Sequence, residues 1–272
     1  MTMQWLYDIT VILYAACVCG FFIDFLQNNR KAHQLAFWLL SVVWVLQLST
    51  VVVKVSDTQE FPIVTPSDGI FFVAWVIVSV SLVMHRFFKF HFFGFFANLV
   101  GFAIMVMMLF QPDDQADMIL GQHLMSDLLI VHISIALLSY VAFVISFILS
   151  MMYLVEYYLL KKKKWGQRLL HFDSLARLEQ GSFYCNLLGA PLLLISLLLG
   201  IIRVVDVFPT INWFDSKIVT SFLVLFAYCF YLYQKIGKNV RGKPLVFWNI
   251  IAFLLVLINV FLSEVLTGFH LW

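Results

Sequence analysis

Eight stretches of the chain are almost wholly apolar, each set off from the next by a short polar segment: Trp5 to Leu26, Leu35 to Val53, Ile70 to Met84, Phe92 to Phe110, Leu128 to Leu154, Ser182 to Val205, Ile218 to Tyr233 and Leu245 to Leu266. An α-helix needs roughly 20 apolar residues to cross about 30 Å of hydrocarbon, and these runs approach that length. Backbone amides in lipid must be bonded within the protein, which leaves helices or a closed barrel as spanning structures. Barrel strands alternate apolar and polar positions, and these runs do not. The pattern predicts an all-α polytopic membrane protein, a bundle of eight transmembrane helices forming one integral membrane domain over residues 1–272.

The polar segments carry the orientation. Cytoplasmic loops of membrane proteins retain Lys and Arg, and here the cations fall in every second gap. Arg30 and Lys31 lie in one gap, and Arg86 and Lys89 in another. Lys161 to Lys164 with Arg168 and Arg177 fill a third, and Lys235, Lys238, Arg241 and Lys243 a fourth. The intervening segments hold only Lys54, Arg203 and Lys217, together with most of the carboxylates, including Asp57, Glu60, Asp113, Asp114, Asp117, Asp206 and Asp215. The four basic loops are expected in the cytoplasm and both termini outside. The first run lacks a basic leading segment and exceeds a signal-peptide core in length, so it is expected to be retained as a span.

Composition agrees with lipid as the solvent, since 63% of residues are hydrophobic and 12% charged, too little polar surface to coat a soluble domain of this size. The net charge of +2 is explained by the topology signals and implies no nucleic-acid partner. The Lys161 to Lys164 run also suits contact with anionic headgroups of membrane lipid. Cys17, Cys19, Cys185 and Cys229 all fall inside spans and form no zinc or disulfide framework by spacing. Walker, G-x-S-x-G, H-E-x-x-H and C-x-x-C-H patterns are absent, which removes support for phosphate-driven, serine-hydrolase, zinc-protease and covalent c-haem readings. The chain reads as a protein without enzymatic activity.

Histidine is the remaining candidate chemistry. His33, His85, His91 and His171 lie among basic residues at the expected cytoplasmic boundary, while His123, His132 and His270 fall on the outer half. His132 is expected roughly 7 Å below the outer surface, five residues into the fifth span at 1.5 Å rise. A titratable group there is costly and faces the bundle interior or a cavity; structural hydrogen bonding and ligand work are both open to it. Ala136, Ser139, Ser146 and Ser150 continue a stripe of small residues below it, suited to close helix packing. His270 ends the eighth span. Between the two histidines runs the outer loop Phe208 to Lys217 with Trp213, Phe214 and Asp215. Two neutral imidazoles from separate spans on one membrane face, flanking an aromatic loop, are the parts needed to ligate haem iron axially and cover the porphyrin.

Several segments together carry a resemblance. Val131-His132-Ile133-Ser134 continues to Ser139-Tyr140-Val141-Ala142-Phe143. Phe172-Asp173-Ser174-Leu175-Ala176-Arg177 follows, then Gly189, Gly200, the run Phe214 to Lys217 and Gly268-Phe269-His270. From about Asp127 to the C-terminus the chain resembles the haem-handling cytochrome c assembly family, which includes CcsA, ResC and CcmC. Residues 127–272 would then be its haem-handling core, following four N-terminal helices in 1–126. The resemblance implies non-covalent haem b, with His132 and His270 as axial ligands of the iron. Trp213, Phe214 and Asp215 would form the loop around it, with Asp215 placed to orient the loop or a histidine. Where the family has W-G-x-x-W-x-W-D, however, this loop carries Phe208, Pro209, Asn212 and Phe214 at the Trp, Gly, Trp and Trp positions. That departure weighs against presenting haem for covalent attachment.

The length and span count are most similar to the HemX branch of the family. That likeness implies a negative regulator of the level of glutamyl-tRNA reductase in haem biosynthesis, with haem and glutamyl-tRNA reductase as partners. A cytoplasmic surface for a soluble partner is expected at Gln167 to Gln180, where Leu169, Phe172, Leu175, Ala176 and Leu178 form one face of an interfacial helix. The competing readings are a cytochrome c assembly component and a secondary transporter. The transporter reading would require helices broken at mid-membrane, for which Gly189 with Pro191 is the hint.

Overall fold

The computed structural model describes residues 2–58, 63, 66–87, 92–108, 127–162, 174–207 and 216–265. Within them are eight helices: α1 (Thr2–Gln27), α2 (Arg30–Thr58), α3 (Pro66–Phe87), α4 (Phe93–Met107), α5 (Asp127–Lys161), α6 (Leu175–Val207), α7 (Ser216–Ile236) and α8 (Lys243–Val265). Seven are long and apolar enough to cross a membrane. The fourth, expected over Phe92 to Phe110, has 15 described helical residues; at 1.5 Å each that is about 22 Å, short of the roughly 30 Å hydrocarbon layer.

Several helices outrun the apolar stretches that predicted them. The fifth span, expected to end at Leu154, continues to Lys161, because a helix keeps its backbone bonds as it enters the polar boundary. Of the interfacial helix expected at Gln167 to Gln180, only Ser174 to Gln180 lie among the described residues. Residues 163–173 lie outside the described residues, and from Leu175 onward the segment is the first part of α6. Ser174 opens that helix, its carbonyl accepting from the amides of Arg177 and Leu178. These are the first residues of a helix long and apolar enough to span, with Leu178 buried and Ala176 and Arg177 exposed. α6 also runs unbroken through Pro191, which withdraws the structural hint for a transporter.

The chain divides into two compact units, α1–α4 and α5–α8. In the first, Asn28 takes a left-handed conformation with φ of 52°. Asn29 then caps α2, its Oδ1 accepting from the amides of Lys31 and Ala32. This two-residue turn folds α2 back along α1, where Gly20 sits against Ala36. Tyr14, Phe21, Leu40, Phe71, Val78 and Met105 are among the residues that fill the interior. At its centre Asn98 donates to Ser81 Oγ (2.8 Å) and to the Gly94 carbonyl (2.7 Å), and its Oδ1 accepts from the Tyr14 hydroxyl. Lys54 of α2 and Asp68 of α3 form an ion pair.

In the second unit, α5 and α6 share the most extensive contact. α6 buries Leu178, Ser182, Asn186, Gly189, Leu193 and Ser196, one stripe at helical spacing. Gly189 admits the Phe143 ring, since a Cβ there would stand 2.7 Å from it. That ring stacks on Tyr228 of α7 at 3.6 Å between centroids, and Phe147 stacks on Phe253 of α8 at 4.2 Å.

Candidate functional site

The α5–α6 contact is organised by polar pairs that recur every seven residues. Going forward along α5 and backward along α6, His132 meets Ser196, Ser139 donates to the Gly189 carbonyl at 2.9 Å, and Ser146 Oγ bonds the Ser182 carbonyl (3.0 Å) and the Ser182 Oγ (2.8 Å). Seven-residue spacing on both helices is the register of left-handed packing. The expected small-residue stripe on α5 is therefore a ladder of interhelical hydrogen bonds at Ser139, Ser146 and Ser150, which also reaches Ser182.

His132, at the top of this ladder, has its ring held from three directions. Nδ1 lies 2.6 Å from the Ser196 carbonyl oxygen. A carbonyl only accepts, so Nδ1 carries the proton. Ser196 Oγ lies 3.1 Å from the same nitrogen and donates back to the His132 carbonyl at 3.2 Å. Gly200 closes the third side: a Cβ on it would approach His132 Cε1 to 2.8 Å. In the neutral ring this fixes the tautomer, with the lone pair on Nε2, and no described residue bonds that nitrogen. A neutral imidazole with its far N–H held by a carbonyl is the arrangement found on metal-ligating histidines. His132 is half-buried, and its free nitrogen suits haem iron as a donor.

The other expected site residues, His270, Trp213, Phe214 and Asp215, lie outside the described residues, as do His91, His123 and His171. Among the described residues no three His, Cys, Asp or Glu side chains gather as a ready metal cage.

A second polar centre, absent from the sequence reading, lies lower in the same unit. Nδ2 of Asn249 in α8, with two hydrogens to donate, lies within hydrogen-bond distance of Ser150 Oγ (2.7 Å), Ser146 Oγ (2.9 Å), the Ser146 carbonyl (3.1 Å) and Ser182 Oγ (3.2 Å), while Oδ1 of the same residue accepts from Asn186 Nδ2 (2.7 Å). Its burial is complete, so one amide ties α5, α6 and α8 together. The signal available in sequence was an asparagine inside each of two apolar runs, and buried amides in spans seek partners on neighbouring helices.

Seven apolar spanning helices and an imidazole set within them define a multi-pass helical membrane protein. The chain belongs to the cytochrome c assembly protein family, whose model matches residues 63–270. That match begins ahead of α3, so the likeness reaches further toward the N-terminus than the segment beginning at Asp127. The chain is 42% identical over 261 residues to protein HemX of Bacillus subtilis (strain 168), covering 96% of this chain and 95% of the relative. It is 41% identical over 269 residues to protein HemX of Brevibacillus brevis, covering 99% and 98%. The cytochrome c biogenesis protein CcsA of Mesostigma viride is 22% identical over 222 residues, covering 74% of this chain and 73% of that one.

Proposed function

We propose that this protein handles haem at the outer face of the bacterial cytoplasmic membrane and acts, without enzymatic activity, as a negative regulator of the level of glutamyl-tRNA reductase. The observation that carries the haem reading is His132, whose Nδ1 is committed to the Ser196 carbonyl and whose Nε2 is left as a donor. Its partner in the proposal is His270, with the Trp213, Phe214 and Asp215 loop around a non-covalent haem b. Haem would supply an iron centre whose ligation depends on its own oxidation state. The regulatory reading rests on the near full-length likeness to HemX proteins and on the departed aromatic loop. In this arrangement the chain makes eight spans with both termini outside, and the basic loops face glutamyl-tRNA reductase in the cytoplasm.

The test is the absorption spectrum of the purified protein. A Soret band of six-coordinate haem is expected. His132→Ala and His270→Ala should each shift it, and the double variant should lose haem while remaining monodisperse. An unchanged spectrum in the double variant would sink the site. The family name keeps a second reading in view, cytochrome c assembly, and its distinguishing outcome is loss of holocytochrome c on deletion.

A further inference from the structure

Three titratable side chains that the haem reading does not use meet at the end of the first unit that carries Arg30, Lys31 and Arg86. Asp24 lies in the last turns of α1, His33 in the first turn of α2 and His85 in the last turn of α3. The Asn28–Asn29 turn brings the first two together, and Asp24 Oδ2 lies 2.7 Å from His33 Nδ1. The carboxylate holds the proton on Nδ1, which leaves His33 Nε2 with a lone pair. That lone pair accepts from His85 Nε2–H at 3.3 Å, a proton that must shift to Nδ1 of the same ring for a cation to take its place. The two ring centres are 4.6 Å apart, so the rings lean together at their nitrogen ends. Aromatic walls fix both: Phe37 lies over His85 at 4.5 Å, and Phe21 stands edge-on to His33 at 5.9 Å.

The geometry points to a binding site for a divalent transition cation that favours imidazole, held between Nε2 of His33 and Nε2 of His85 and oriented by Asp24. Zinc–nitrogen bonds are about 2.0–2.1 Å long, and at a tetrahedral angle two such nitrogens stand about 3.3 Å apart, the separation observed. Haem does not fit here. Its axial ligands lie on opposite faces of the macrocycle, about 4 Å apart with the porphyrin between them, and these nitrogens are nearer than that. The Asp24–His33 pair is the carboxylate–histidine arrangement that raises ligand basicity at metal centres. Two protein ligands come from the described residues, and a site completed by water is exchangeable rather than structural. Asp24 and His33 also precede residue 63, where the family match begins, so the site is a property of the longer chain.

The full-length protein, purified in detergent with its affinity tag removed and stripped with chelator, is titrated with Co2+ by visible absorption and with Zn2+ by calorimetry. One ion per chain is expected. His33→Gln and His85→Gln, on separate helices, should each weaken binding at least tenfold. Asp24→Asn should weaken it roughly 10- to 100-fold, and His132→Ala should leave it unchanged. If the parent protein takes up no saturable ion, the Nε2 pair is a hydrogen bond and the proposal is overturned. Equal affinity in the parent and both glutamine variants, or loss with His132→Ala, overturns it as well. The haem spectrum of the His33→Gln protein reads independently, so failure of either site leaves the other standing.

Discussion

The bond that fixes His132 comes from the backbone of Ser196, so the serine side chain and the glycine one turn beyond it make separable contributions. Ser196→Ala removes the hydroxyl contact and keeps the carbonyl; haem affinity should change by less than about fivefold, because one neutral hydrogen bond is worth about 1 kcal/mol or less. Gly200→Ala puts a Cβ at 2.8 Å from the ring and should weaken haem retention tenfold or more in a haem titration. Stability should fall little there, since alanine improves helix propensity by up to about 1 kcal/mol. The reverse ranking of these two variants would refute the ring-positioning account. Asn249→Leu leaves three serine hydroxyls and Asn186 without their shared partner. It should cost about 1–3 kcal/mol in reversible denaturation of the purified protein while leaving the haem spectrum in place. His132 could be singled out from its polar character inside an apolar run. Its partner could not, because a backbone carbonyl carries no sequence signal and Ser196 reads as a small spacer.

Apolar runs located the helices because burial in lipid demands them, but their ends followed hydrogen bonding. α5 gains a turn and more beyond Leu154, and α6 starts at Leu175, seven residues ahead of the run that predicted it. Meeting points between helices were less legible still: Asp24, His33 and His85 lie on three helices, and their encounter depends on the Asn28–Asn29 turn and the course of α3. Loop charge governs insertion more directly than helix length does. Reporter fusions after Lys164 and after Lys243 should therefore score as cytoplasmic and a fusion at Asp114 as external. An external score at Lys164 would invert the orientation. The described length of α4 makes the Asp114 fusion the most informative, because an uncrossed fourth helix would change its side alone among the three only if the later spans compensated.

The likeness to HemX proteins runs the length of the chain, including α1 and α2, which precede the family match at residue 63. On the proposed regulatory role, deleting the gene should raise the amount of glutamyl-tRNA reductase on immunoblots and leave c-type cytochromes present in spectra of membranes. Unchanged reductase with lost cytochrome c would transfer the protein to the assembly reading. In the second unit, the seven-residue ladder between α5 and α6 has a mechanical consequence. Sliding one helix along the other by a single residue would pull His132, Ser139 and Ser146 from their partners together, and register returns only after about 10 Å of travel. The pair therefore resists shear, and the bonds that hold it run from the His132 imidazole to within reach of Glu179, about 25 Å away along α6, which pairs with Lys235 and accepts from the Gly242 amide of the α7–α8 turn.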